Sequence, residues 1–188
     1  MYNIAITGSF ASGKTFVLNC LKSMNYKTFS CDDYVKFLYQ DIVIQKLVEN
    51  SIEGVGKFNK QNLAKIIYNN PKSRDKLEKI IHPKVRAAIK EFEEKYKTED
   101  FIFTEVPLLF ESGFDKYFSY NINVFCSEKT RIIRANNRGI IDPVIFEKIK
   151  KIQFAQEEKN KRVDFVINSE KEKEQIEEKL TEIINRIK

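Results

Sequence analysis

Gly8-Ser9-Phe10-Ala11-Ser12-Gly13-Lys14-Thr15 follows the apolar run Asn3-Ile4-Ala5-Ile6-Thr7 directly and has the full G-x-x-x-x-G-K-[ST] spacing of a phosphate-binding loop. Gly8 and Gly13 allow backbone torsions that other residues resist, so that successive N–H groups can turn inward toward phosphate oxygens. Lys14 adds a mobile positive charge, and Thr15 offers a hydroxyl to Mg²⁺. The segment that follows, about residues 14–24, places Val17, Leu18, Leu21 and Met24 at helical spacing, and its positive dipole end points at the same phosphates. A buried strand before the motif and an amphipathic helix after it form the setting in which the motif works. The reading is therefore a P-loop nucleotide-binding fold, with Gly8 to Thr15 as phosphate contacts.

Composition narrows the class. A chain of 188 residues that is 42% apolar can bury one good core with small appendages. It has no run approaching the roughly 20 apolar residues of a membrane span. It opens on a strand rather than a charged leader, so the cytoplasm is the expected location. Cys20, Cys31 and Cys126 are widely spaced, with no C-x-x-C pair for a disulfide framework or a zinc site. The net charge of +6 is concentrated: residues 129–162 hold ten Lys or Arg against four acids, a balance of +6, and the rest of the chain sums to neutral. A compact basic segment suits a small polyanion better than the extended, aromatic-bearing face of a nucleic-acid binder. Small-molecule partners are expected, with neither nucleic acid nor membrane, in a monomer or a weak homo-oligomer.

Strand and helix patterns then alternate. Residues 27–30 form a short second strand closing at Cys31-Asp32-Asp33; residues 34–50 read as one helix, 61–68 as another, and Asn70-Pro71 breaks it. Two further helices are expected at 73–81 and 83–96, the second opened by Pro83, with His82 as the joint. Residues 101–106 and 120–126 are apolar enough for central parallel strands. Helices follow at 128–137 and at 143–154, the latter capped by Asp142, and 165–167 is a fifth strand. Ser169-Glu170-Lys171-Glu172 reads as a capping box opening the terminal helix.

The sum is an α/β chain: a five-stranded parallel sheet with helices on both faces. It forms a single domain with its core at 1–33, 98–127 and 163–188, a helical insert for the acceptor at 34–97, and a basic lid at 128–162. Two inserts around a phosphate site can align an acceptor and exclude water, which favours a kinase over a simple ATPase. A GTPase would need an Asn-Lys-x-Asp guanine reader; Asn59-Lys60-Gln61-Asn62 lacks its aspartate. A kinase for another small acceptor, such as a nucleoside monophosphate, shares the same layout, and a nucleotide-dependent binding module is the remote alternative.

An ordered set of motifs runs along almost the whole chain: Asp32 closing strand two, Ile81-His82-Pro83, Val106-Pro107-Leu108-Leu109-Phe110-Glu111, Arg134 with Arg138, and Gln153 with Glu157-Glu158-Lys159 before Asp164-Phe165-Val166-Ile167. In this order they resemble the dephospho-coenzyme A kinase family. The resemblance implies transfer of the γ-phosphate of ATP to the ribose 3′-hydroxyl of dephospho-CoA, giving CoA and ADP, as the last step of coenzyme A biosynthesis. It also implies that His82, Pro107 and Glu111 border the acceptor site.

Four positions depart from the family's pattern. Ser30 replaces the first acid of the family's Asp-x-Asp pair, which leaves Asp32 to act alone; Ser9 and Ala11 replace glycines, and Phe16 replaces a Ser or Thr. The backbone N–H groups of the loop through Phe16 survive these changes.

Physical chemistry assigns roles to several of these residues. Asp32, at a strand end beside the loop, can take or orient the acceptor's proton, or it can cap the next helix. Lys14 and Arg138 are the candidate cations for the transferring phosphoryl group. Arg134, one turn before Arg138 on the same face, is a nucleotide contact or a surface ion-pair partner. Glu105 closes strand three, where an acid can hold the water shell of Mg²⁺ beside Thr15, or it is simply a buried hydrogen-bonded carboxylate. His82 is the only histidine, and a structural joint is the competing reading.

Overall fold

Parallel strands joined by helices must each be carried back to the starting edge, and that requirement fixes the architecture of this chain. The computed structural model describes residues 1–137, 139 and 143–188. Five strands pair in the order β2-β3-β1-β4-β5: β1 (Tyr2–Thr7), β2 (Lys27–Ser30), β3 (Phe101–Glu105), β4 (Tyr120–Phe125) and β5 (Phe165–Asn168). Every pairing is parallel, as expected.

The register sets Ile4 beside Phe103 and Ile6 beside Ile122. One face of the sheet is therefore a continuous apolar surface. On it pack α1 (Lys14–Ser23), through Val17, Leu18 and Leu21, and α9 (Lys173–Ile187), through Ile176, Leu180, Ile183 and Ile184. Each such buried side chain contributes about 1.5–3 kcal/mol relative to exposure.

Alternation turns Asn3, Thr104 and Asn123 to the opposite face, where they are buried and polar. Most of their groups find partners there: Thr104 Oγ1 donates to Asn3 Oδ1 (3.0 Å), Asn3 Nδ2 to Glu93 Oε1 (2.8 Å), and Asn123 Nδ2 to Asn160 Oδ1 (2.6 Å), while Asn123 Oδ1 has none among the described residues. Asn160 belongs to α8 (Gln156–Arg162), so helices cover both faces.

The chain divides into two compact units, one of Met1–Ser30 with Glu93–Lys188 and one of Cys31–Phe92. The second is helical, with α2 (Cys31–Leu38), α3 (Ile42–Ser51), α4 (Lys60–Asn69) and most of α5 (Pro71–Lys95). The basic segment lies within the first unit as α6 (Glu128–Asn137), α7 (Pro143–Ile152) and α8. Arg138 and the expected cap Asp142 fall outside the described residues. No helix among the described residues is long and apolar enough to cross a membrane.

Local readings of the sequence fail at four places. The single helix expected over 34–50 is two, because Asp41 accepts from Val43 N (2.8 Å) and opens α3 as its N-cap. The two helices expected around His82 are one: α5 runs through Pro83, and the buried Leu77, Ile81, Val85, Ala88 and Ile89 form a stripe that continues past it. One lost backbone bond is outweighed by that stripe. The capping box of α9 is formed by Glu172 with Gln175, three residues later than expected. The last surprise is α8, which lies where no helix was foreseen.

Pro83 thus sits exposed inside a helix that persists despite it. Replacing it by alanine restores the missing N–H and is expected to stabilise the protein by about 1–3 kcal/mol. A raised thermal midpoint is the predicted result; a lowered one would mean that the proline itself shapes α5.

Candidate active site

The phosphate loop owes its shape to residues behind it. Gly13 has φ 99° at the N-cap of α1, and a Cβ there would lie 2.7 Å from Ser169 Oγ and 2.9 Å from Arg134 Nη1. At Gly8 a Cβ would meet Val124 O at 2.4 Å. Ala11 holds φ 60°, a left-handed torsion that costs a non-glycine residue about 1–2 kcal/mol. This is one of the two positions where the sequence departs from glycine.

Side chains from three directions fix the loop. Ser169 Oγ donates to Ser12 O (2.5 Å), Arg131 Nε to Phe10 O (2.8 Å), and Phe10 N to Gln153 Oε1 (2.6 Å). Phe10 also meets Phe146 edge-on, with ring centroids 6.2 Å apart, and Ala11 packs with Ala135 and Phe146. The basic segment therefore contacts the loop directly. Within the loop, Lys14 Nζ bends back onto Gly8 O (3.0 Å) and Ser9 O (3.2 Å), while Ser12 Oγ is buried with no hydrogen-bond partner among the described residues. Thr15 and Phe16, in the first turn of α1, are exposed.

Arg134 gives Nη1 to Ser169 Oγ and Nη2 to Ser169 O, each at 2.8 Å, and Nη1 lies 3.6 Å from Cys126 Sγ. Its described hydrogen-bond partners are Ser169 and Cys126, and its Nη1 lies against Gly13, so the guanidinium stands at the start of α1. Burial pushes the Cys126 thiol up, and the Arg134 charge opposes this. Arg131 is 4% exposed, and burial lowers its pKa; its guanidinium lies 5.3 Å from the centre of the Phe146 ring. A cleft of ≈ 250 Å³ beside the loop is lined by Ser9, Arg131, Lys150, Gln153 and Gln156 among others.

At the sheet's C-terminal edge Glu105 closes β3, buried, and its Oε2 accepts from Ser30 Oγ (2.9 Å). Pro107 and Glu111 are joined by a residue that sequence reasoning passed over. Lys159 Nζ reaches Pro107 O and Glu111 Oε1, both at 3.0 Å. The lysine side chain is 0% exposed; burial lowers its pKa and the neighbouring Glu111 opposes the shift.

Asp32 and His82 lie in the helical unit. Asp32 is exposed in the first turn of α2, not at the end of a strand, because the helix already starts at Cys31. The Tyr68 hydroxyl is held protonated by burial and then by the Asp32 charge, and burial pushes Tyr39 to about 12. His82 is half-buried mid-helix and borders an open cleft of ≈ 330 Å³ with Asp75, Glu78 and Arg86. Burial and then the Arg86 charge lower its pKa. Among the described residues no three His, Cys, Asp or Glu side chains gather as a metal site.

Four residues at the loop or its neighbouring turn were thus not singled out as site residues from sequence: Arg131, Gln153, Lys159 and Ser169. Gln153 and Lys159 were visible as motif members without a role, Arg131 stands three residues before Arg134, and Ser169 was taken for a cap.

Comparison with known proteins shows which family the chain resembles and which solved structures share its fold. A family model described as dephospho-CoA kinase matches residues 2–175. A dephospho-CoA kinase of Rickettsia typhi is 39% identical over 187 residues, covering 100% of this chain and 98% of the relative. Among solved structures, a Thermus thermophilus protein superposes with TM-score 0.83 at 25% identity, over 100% of this chain and 98% of its own. The dephospho-CoA kinase of Campylobacter jejuni superposes with TM-score 0.65 at 25% identity, over 98% of this chain and 96% of its own.

Two predictions follow from the loop and the histidine. Gly13→Ala is expected to lose about 2–4 kcal/mol in urea denaturation, combining torsional strain with the clash on Ser169, whereas Ala11→Gly gains roughly 0.5–1 kcal/mol. Equal effects at the two positions would contradict the assigned torsions. His82, with a folded pKa below its ordinary 6.5, binds fewer protons folded than unfolded. Its contribution to stability is therefore complete above 6.5 and is lost as pH falls through that value. Thermal midpoints should fall below pH 6.5 in the wild type and fall less in His82→Gln; identical profiles would remove His82 from the effect.

Proposed function

The chain belongs to the dephospho-CoA kinase family, and on that premise we propose how its residues divide the work of moving the γ-phosphate of ATP to the ribose 3′-hydroxyl of dephospho-CoA. The products are CoA and ADP. The observation that carries the reading is the intact phosphate loop, held in shape from behind, in a chain that matches the family along nearly all its length.

Gly8 to Phe16 line the donor phosphates with backbone N–H groups at the positive end of α1. Lys14, now bonded to the loop's own carbonyls, exchanges those bonds for β- and γ-phosphate oxygens when ATP binds. Arg134, already at the start of α1, supplies a second cation, and Arg138 contributes a third to the charge that develops on the transferring group. Asp32 takes or orients the proton of the acceptor hydroxyl. His82, Pro107 and Glu111 border dephospho-CoA.

The donor set also fits Mg²⁺. That ion needs few direct protein oxygens; the exposed Thr15 hydroxyl would supply one, and the buried Glu105 carboxylate would hold its water shell. When bound it neutralises charge on the β- and γ-phosphates. The helical unit and the basic segment serve as the acceptor insert and the lid of one kinase domain. The enzyme works in the cytoplasm on two small substrates, as a monomer or weakly self-associating.

Release of ADP from Mg-ATP should depend on dephospho-CoA, with mononucleotides inactive as acceptors. Lys14→Ala and Asp32→Asn are each expected to lower kcat by about 10²-fold or more while thermal midpoints stay near the wild type. Turnover with a mononucleotide instead, or near-normal turnover in Asp32→Asn, would contradict the assignment.

A further inference from the structure

Lys159 is a cation enclosed completely by the fold and paired to a carboxylate, an arrangement that well-packed apolar residues often match or exceed in stability. Its bonds show a different use. Lys159 Nζ joins Pro107 O and Glu111 Oε1. The same Glu111 oxygen accepts from Phe154 N (2.7 Å), and the preceding residue, Gln153, accepts from Phe10 N in the phosphate loop. At the other end Thr7 Oγ1 donates to Pro107 O (3.4 Å), and Thr7 is the residue before Gly8. The bonds close a ring from Thr7 through Pro107, Lys159, Glu111, Phe154 and Gln153 to Phe10. Both ends lie at the start of the phosphate loop. Glu111 Oε2, meanwhile, is buried with no hydrogen-bond partner among the described residues, a polar group left unsatisfied in an otherwise well-bonded ring.

We propose that this ring is a positioning device: Lys159, Glu111 and Gln153 hold the donor's phosphate loop in register with the turn after β3, so that donor phosphate and acceptor meet aligned. The ring borders the chemistry without entering it. Lys159 and Gln153 are positioning residues, since they act through Pro107 O and Phe10 N. The inference rests on the dephospho-CoA kinase reading, in which the Pro107–Glu111 turn borders the acceptor.

Alignment lost with both substrates still bound lowers kcat and spares KM. Two alterations open the ring at different points. Gln153→Met removes the acceptor of the Phe10 N–H at similar length. The pair Lys159→Met/Glu111→Gln removes both charges together, so that no unpaired ion is left buried, and keeps an oxygen for Phe154 N. Steady-state kinetics with ATP and dephospho-CoA, beside thermal melts, should show kcat reduced about 10- to 100-fold in each, with the KM for ATP and the midpoint close to wild type in both and the KM for dephospho-CoA also unchanged in Gln153→Met.

Because one ring is broken in either case, the triple variant should be little worse than the more impaired of the two. Wild-type kcat in a folded Lys159→Met/Glu111→Gln protein, or losses that multiply in the triple variant, would overturn the proposal. A rise confined to the KM for dephospho-CoA would also overturn it, by making Glu111 a plain binding residue. Should the charge-free pair fail to fold, Gln153→Met decides alone: unchanged kcat rejects the ring. A wild-type protein without dephospho-CoA-dependent turnover would instead defeat the functional reading, and this inference with it.

Discussion

The backbone of the phosphate loop must double back between Thr7 and Lys14 while leaving room for a polyanion, and the rest of the sheet unit is arranged around that constraint. Val124 O stands where any side chain at position 8 would go, and Ser169 and Arg134 stand where one at position 13 would go. The glycines are thus demanded by β4 and by the segment after β5 as much as by the ligand. Parallel pairing delivers those neighbours: β1 is the central strand, β4 lies beside it and β5 beyond, so the strand ends converge on the loop. Pre-ordering of this kind matters for phosphoryl transfer, where positioning and fixed charge supply most of what a protein can contribute.

Charge placement in the sheet unit follows the same logic. Arg131 and Lys159 are buried cations in a chain whose basic excess lies in residues 129–162, yet each is committed to a carbonyl or a carboxylate of the framework. Arg134 stands half-buried at the start of α1. The basic segment is accordingly a working part of the loop's support, through Arg131, Phe146 and Gln153, besides being a source of positive potential.

How much of this could be read in the sequence depends on how local the governing interaction is. The loop was legible because its torsions need glycine at fixed positions, and the strands because apolar runs bounded by polar residues have few alternatives. His82-Pro83 misled because the missing backbone bond is a local signal, whereas the buried stripe from Leu77 to Ile89 that carries α5 through it depends on tertiary packing. Ser169 looks like a cap from its neighbours alone; its hydroxyl is in fact engaged by Ser12 and Arg134, distant in sequence. Lys159 offered no clue to its burial, since a lysine is ordinarily solvated and only the approach of Glu111 makes its enclosure tolerable. Asp32 and Arg138 stood out as members of the family's ordered motifs and drew their roles from carboxylate and guanidinium chemistry; Arg138 lies outside the described residues.

A phosphate loop shaped in this way serves the dephospho-CoA kinase reaction only if the phosphoryl group reaches one particular hydroxyl. Phosphorus NMR of the reaction mixture from Mg-ATP and dephospho-CoA tests it most directly. A new phosphomonoester resonance, coupled to the ribose 3′ proton and growing in step with ADP, is expected. Inorganic phosphate accumulating in its place, or a phosphoryl group on any other oxygen, would contradict it.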